Sequence, residues 1–96
     1  MSTAVLTKTA SFSTPDFIVG EITYLCDATS GPISVTLASP MQHGQKLTIK
    51  KVDASANAVT VAAESGTTID GDPNQILSGQ WDSMQLVVQN DRWYIV

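Results

Sequence analysis

Ninety-six residues make one domain with a thin core, because a chain of this size buries roughly two thirds of its unfolded surface. Forty-three per cent hydrophobic residues argues against disorder, and 15% charged residues is low beside the roughly one quarter usual in soluble domains, so part of the surface is expected to lie against another protein. A net charge of −4 argues against nucleic acid or an anionic membrane as partner, since neutralising phosphate needs clustered Lys and Arg, and Lys50-Lys51 are too few.

Residues 1–20 are rich in hydroxyls (Ser2, Thr3, Thr7, Thr9, Ser11, Ser13, Thr14) and carry scattered apolar anchors at Val5, Leu6, Phe12, Phe17 and Ile18. They read as an N-terminal arm or an edge strand preceding a β-domain over residues 21–96. This start has no basic stretch leading into a long apolar core, and no run approaches the roughly 18 apolar residues of a membrane span, so synthesis in the cytosol without export is expected.

From Glu21 the β signals recur at short intervals. Ile22, Tyr24 and Cys26 alternate on one strand face, ATSGP makes a turn, and Ile33, Val35 and Leu37 share the inner face of the next strand with Ser34 and Thr36 outward. Cys26 has no partner for an intrachain disulfide and is expected to be a small buried hydrophobe. After a crossing loop at 38–44, QKLTIKKVDASANAVTV has the pattern of a β-hairpin: two alternating runs flank DASAN, where Asp53, Ser55 and Asn57 are short side chains that bond nearby backbone. Lys50-Lys51 interrupts the alternation, which predicts a bulge returning Val52 to the inner face.

The polar connection ESGTTIDGDPNQ is predicted to turn at Asp70-Gly71 and to anchor itself through Ile69. Met84, Leu86 and Val88 alternate with Gln85, Val87 and Gln89, Asn90-Asp91 reverse the chain, and Trp93 and Ile95 face inward with Tyr94 outward. Trp81 and Trp93 are expected to cap the two ends of the core. The sum is an all-β chain: a small antiparallel β-sandwich or barrel of six to seven short strands, with too few charges to blunt its edges and therefore a homo-oligomer, for instance a trimer.

No pattern carries catalysis. His43 with Ser39 lacks a nucleophile elbow, and Cys26 with His43 has no better support as a thiol dyad. Glu64, Asp70, Asp72 and Asn74 lack the spacing of a calcium loop and read as a solvated turn, so no metal and no cofactor is expected. Tyr24, Trp81 and Tyr94 are the aromatics available to stack on a sugar.

GPISVTLASP (31–40), GQKLTIKKVDASANAVTV (44–61), TIDG (68–71) and the terminal WYIV (93–96) resemble a short all-β module of tailed-bacteriophage virion proteins, found in fibres, spikes and capsid-decoration proteins. The resemblance spans Glu21 to Val96 and implies a trimeric, non-enzymatic protein with an adhesive or reinforcing role. The single-module length favours a decoration (cement) protein, which implies the outer capsid surface as location, the major capsid protein as partner, and an interface drawing on Val5, Leu6, Phe12, Phe17 and Ile18. The alternative is a fibre or baseplate tip module recognising host saccharide through Asp70, Asp72, Trp81 and Tyr94.

Overall fold

A computed structural model describes residues 3–14, 21–37, 46–64, 67–89 and 92–96. The strands are β1 (Thr3–Lys8), β2 (Phe12–Ser13), β3 (Glu21–Cys26), β4 (Ile33–Leu37), β5 (Lys46–Lys51), β6 (Val59–Ala63), β7 (Asn74–Leu77), β8 (Ser83–Gln89) and β9 (Arg92–Ile95). They form two sheets, a five-stranded one in the order β1-β3-β5-β8-β9 and a four-stranded one in the order β2-β4-β6-β7. The fold is all-β and two-layered, as the spacing of apolar runs predicts. The described residues contain no helix, and the crossing loop with Ser39 and His43 lies outside them.

The pairing departs from expectation. β1, β3 and β5 are mutually parallel, as are β2, β4 and β6, and only β7, β8 and β9 join antiparallel. Each of the first three strand pairs leaves the five-stranded sheet, bends, and enters the four-stranded one, so the chain stacks three arches in parallel before its last three strands close the sandwich. Residues 46–63 are therefore no hairpin: β5 and β6 sit in opposite layers, and DASAN spans the core's edge rather than reversing within a sheet. ATSGP plays the same part between β3 and β4. Alternation fixes which side chains point inward and says nothing of where the next strand pairs, so hairpin and arch share one sequence pattern.

Parallel stacking aligns like side chains. Ile22 lies beside Leu47, Tyr24 beside Ile49, Ile33 beside Val59 and Val35 beside Val61, and all eight are buried. Leu86, Val88, Leu77, Ile69 and Trp93 complete the core, with Cys26 fully buried among them. Each such aliphatic side chain contributes roughly 1.5–3 kcal/mol relative to exposure.

Two further corrections concern single residues. β5 runs unbroken through Lys51, which pairs with Cys26, so there is no bulge; Lys51 occupies the inner face and Val52 is half-buried. Trp93 is buried in the core, whereas Trp81 stands 58% exposed in a turn and caps nothing. Tyr24, one of the aromatics available to a sugar, is fully buried, with its ring 4.7 Å from that of Phe12.

Candidate functional site

The chemistry-bearing groups fall into three places: the stacked arches, the turn carrying Trp81, and the two lateral margins of the sandwich.

At the arches, Asp27 and Asp53 each fold a local turn. Asp27 Oδ1 accepts the Thr29 amide at 3.0 Å and the Thr29 hydroxyl at 2.5 Å, and Asp53 Oδ2 accepts the Ser55 amide at 3.0 Å together with the Ser55 hydroxyl. This is the local side-chain-to-backbone bonding expected of DASAN. Asp53 does more. Its Oδ1 accepts the Ala28 amide of the neighbouring arch at 2.8 Å, and Oδ2 receives Lys51 Nζ at 2.7 Å. Asn57 Nδ2 and Ser55 Oγ donate to the Ala28 carbonyl at 2.8 and 3.2 Å, so the two arches are sewn together through Ala28.

Lys51 is fully buried, and its ammonium also donates to the Asp53 carbonyl at 3.2 Å. Burial would push the Asp53 carboxyl up, but hydrogen bonds from Lys51, Ser55 and the Ala28 amide outweigh it and hold the group well below the usual carboxylate range. The same surroundings act oppositely on the acids beside it. Burial, helped by the Asp53 charge, pushes the Cys26 thiol up to about 11, against a small opposing pull from Lys8. Burial and Cys26 push the Tyr24 phenol to about 12. A thiol so buried and so weakly acidic is not a nucleophile at neutral pH. The Lys51–Asp53 pair is a structural device that sequence reading missed. The signal available was the recurrence of I-T-x3-D-A-T (22–29) as L-T-x4-D-A-S (47–55), an internal repeat that predicts stacking of the two segments.

Trp81 has φ 72°, a left-handed conformation uncommon for a bulky side chain. The turn is clamped on every side. Gly79 N donates to Asp82 Oδ2 at 2.8 Å, Trp81 N to the Lys51 carbonyl at 2.7 Å, Gln80 Nε2 to the Val52 carbonyl at 3.3 Å, and Lys50 Nζ to the Trp81 carbonyl at 3.2 Å. Lys50 Nζ also lies 5.8 Å from the indole centroid. Backbone strain of this kind, of order 1–3 kcal/mol, persists where surrounding bonds over-determine it, and here it presents a large apolar ring to solvent.

Asp70 and Gly71 both take positive φ, 50° and 86°, and Ile69 and Asp72 exchange backbone hydrogen bonds of 2.7 and 2.9 Å across them. That is the two-residue turn predicted at Asp70-Gly71, with Ile69 buried as its anchor. The turn docks on β9: Trp93 N donates to the Thr68 carbonyl at 2.9 Å, Asp70 N to the Trp93 carbonyl at 3.0 Å, and Ile95 N to Asp70 Oδ1 at 3.1 Å. Asp70 and Asp72 are exposed, and no group of three or more His, Cys, Asp or Glu among the described residues could hold a metal ion.

The structure thus separates the residues considered for saccharide. Asp70 and Asp72 gather beside β9, whose Tyr94 is 41% exposed and pairs with Val87, itself opposite the first residue of β5. Trp81 bonds to the last residue of β5, at the other end of that strand. At the β1 margin, Val5 and Leu6 are 66% and 40% exposed, while Phe12 is half-buried against Tyr24 with Lys8 Nζ 5.1 Å from its ring centroid. Phe17 and Ile18 lie outside the described residues. No protein-family model and no curated protein matches this chain.

Proposed function

We propose that this chain is a non-enzymatic structural protein of a tailed-bacteriophage virion, a capsid-decoration protein that binds the outer capsid surface, associates with further copies of itself and reinforces the shell. The observation that carries the reading is the β1 margin, uncovered among the described residues, where Val5 is 66% and the inward Leu6 still 40% exposed and Phe12 is half-buried. An apolar margin on a chain with 15% charged residues is a contact surface in search of a larger assembly. A ligand that binds only the assembled shell stabilises it by mass action, and many modest sites sum over a capsid. The resemblance of residues 31–40, 44–61, 68–71 and 93–96 to virion modules supports the same reading. In co-sedimentation, the purified protein should bind undecorated capsids of its virion, and Leu6→Asp should weaken binding at least tenfold without loss of the β-type circular dichroism. Absence of capsid binding by the unsubstituted protein removes the assignment.

One observation favours the alternative, a fibre or baseplate module that recognises host saccharide: the rigidly clamped, strained and exposed Trp81 beside Lys50. A glycan array separates the two readings, since only a recognition module binds there and loses binding with Trp81→Ala.

A further inference from the structure

The two lateral margins of the five-stranded sheet differ in one respect that bears on self-association. On the β9 side three outward backbone groups are already engaged, the Trp93 amide by the Thr68 carbonyl, the Trp93 carbonyl by the Asp70 amide, and the Ile95 amide by the Asp70 carboxylate. No strand can add there without displacing that turn.

Among the described residues β1 has no such cover. The Lys8 carbonyl accepts from Asp27 N on the β3 side, and successive residues of a strand direct their backbone groups to alternate sides. Thr3, Val5 and Thr7 therefore direct both N–H and C=O away from β3. Natural edges are blunted by charge, proline, bulges or shortness. β1 spans six residues, pairs continuously with β3, and has one charge, Lys8, at its last position.

We propose that β1 pairs antiparallel with β1 of a second copy about a twofold axis through Val5. Segment 3–7 reads T-A-V-L-T, nearly the same in both directions. Antiparallel pairing about Val5 sets Val5 opposite Val5, Ala4 opposite Leu6 and Thr3 opposite Thr7. It matches apolar with apolar residues and hydroxyl-bearing with hydroxyl-bearing ones, and leaves Lys8 beyond the paired segment. Shifting the register by two residues sets Lys8 opposite Ala4 instead. In the first register the three outward-directed residues all fall in hydrogen-bonded pairs, and the two five-stranded sheets become one of ten strands. The exposed Val5 side chain meets its own copy on the outer face, and Leu6 gains cover on the inner one. The contact is isologous, so it closes at two copies and does not propagate into a fibre.

The test is a Val5→Cys variant of the full chain, with light scattering of the unsubstituted protein alongside. Directly opposed residues in a hydrogen-bonded pair have Cα atoms about 5.5 Å apart, within disulfide range. Mild oxidation should convert most of Val5→Cys to a covalent dimer, while Thr7→Cys alone stays uncrosslinked and an equimolar mixture of Thr3→Cys and Thr7→Cys crosslinks. Cys26 is buried and should not interfere. Light scattering should give an even number of copies, and Val5→Lys, at an exposed site, should give a monomer with unchanged circular dichroism. A monomeric or trimeric unsubstituted protein overturns the proposal. So does efficient crosslinking of Thr7→Cys alone, or an unchanged oligomer with Val5→Lys. Should Val5→Lys fail to fold, hydrogen exchange decides: β1 amides gain protection with concentration if the pairing exists and do not otherwise. The pairing gives the β1 margin to a second copy, so Leu6→Asp weakens capsid binding through lost self-association; capsid binding of the unsubstituted protein is read separately, and failure here leaves the decoration reading standing.

Discussion

The β9 margin and the β1 margin close the same sandwich, yet they are built differently. At β9, Trp93 is 1% exposed, Ile69 is fully buried beneath it, and the turn at Asp70-Gly71 bonds to the strand through three hydrogen bonds. At β1, the inward position held by Leu6 is still 40% exposed, β2 supplies two residues to the opposite layer, and the Tyr24 hydroxyl is buried with no hydrogen-bond partner among the described residues. A margin sealed by a large side chain and its own loop is finished within one chain. A margin with open backbone groups and a half-exposed inward leucine is left unfinished among the described residues of one chain.

The contrast is broken most forcefully at its sealed side. Trp93→Ala should cost about 3–5 kcal/mol in chemical denaturation, because it removes the largest core side chain and loosens the turn docked on it. A loss under about 1 kcal/mol would mean that β9 is not the closed margin described.

Next in size is Lys51→Met, which leaves Asp53 buried without its counter-charge and should lower the melting temperature by several degrees at pH 7. The pH dependence carries the signature. Asp53 has its folded value below the unfolded one, so its contribution is present above roughly pH 4 and is lost as pH falls toward the folded value. Removing Lys51 takes away the foremost of the groups lowering that value, so acid unfolding of Lys51→Met should begin at higher pH. Cys26 and Tyr24 behave in the opposite sense. Their stabilisation is complete below the ordinary values of 9.0 and 10.0 and is lost as pH rises through about 11 and 12, which should give the alkaline limb. Cys26→Ala should retain the Tyr24 part of that limb, and an unaltered acid limb in Lys51→Met would show that the pair does not govern it.

The smallest effect sharpens the open side. Tyr24→Phe deletes a buried hydroxyl that bonds to nothing described, so stability of the monomer should stay within about 1 kcal/mol or rise. A loss of 2 kcal/mol or more would reveal a partner for that hydroxyl.

Much of this fold is legible residue by residue. Inward positions at Ile22, Tyr24, Cys26, Ile33, Val35, Leu37, Met84, Leu86 and Val88 follow from period-two alternation, and the Asp70-Gly71 turn follows from residues that tolerate positive φ. The pairing of strands is illegible by that route. DASAN and ATSGP read as turns in either case, and only the pairing partners of the flanking strands tell an arch from a hairpin. Trp81 shows the same limit, since a tryptophan after a glycine and a glutamine gives no sign of a clamped left-handed turn facing solvent.

Asp27-Ala28-Thr29 and Asp53-Ala54-Ser55 separate the two kinds of knowledge. Each aspartate bonds to the amide two places on, and for Asp53 the short polar run DASAN signals that bond, because it depends on local chain geometry alone. Tertiary structure decided that one carboxylate stays near solvent while the other holds a buried lysine and the neighbouring arch. Lys51 continues the inward alternation of Leu47 and Ile49, parallel register on β3 sets it beside Cys26, and an inward ammonium needs a charge within reach, which Asp53 supplies.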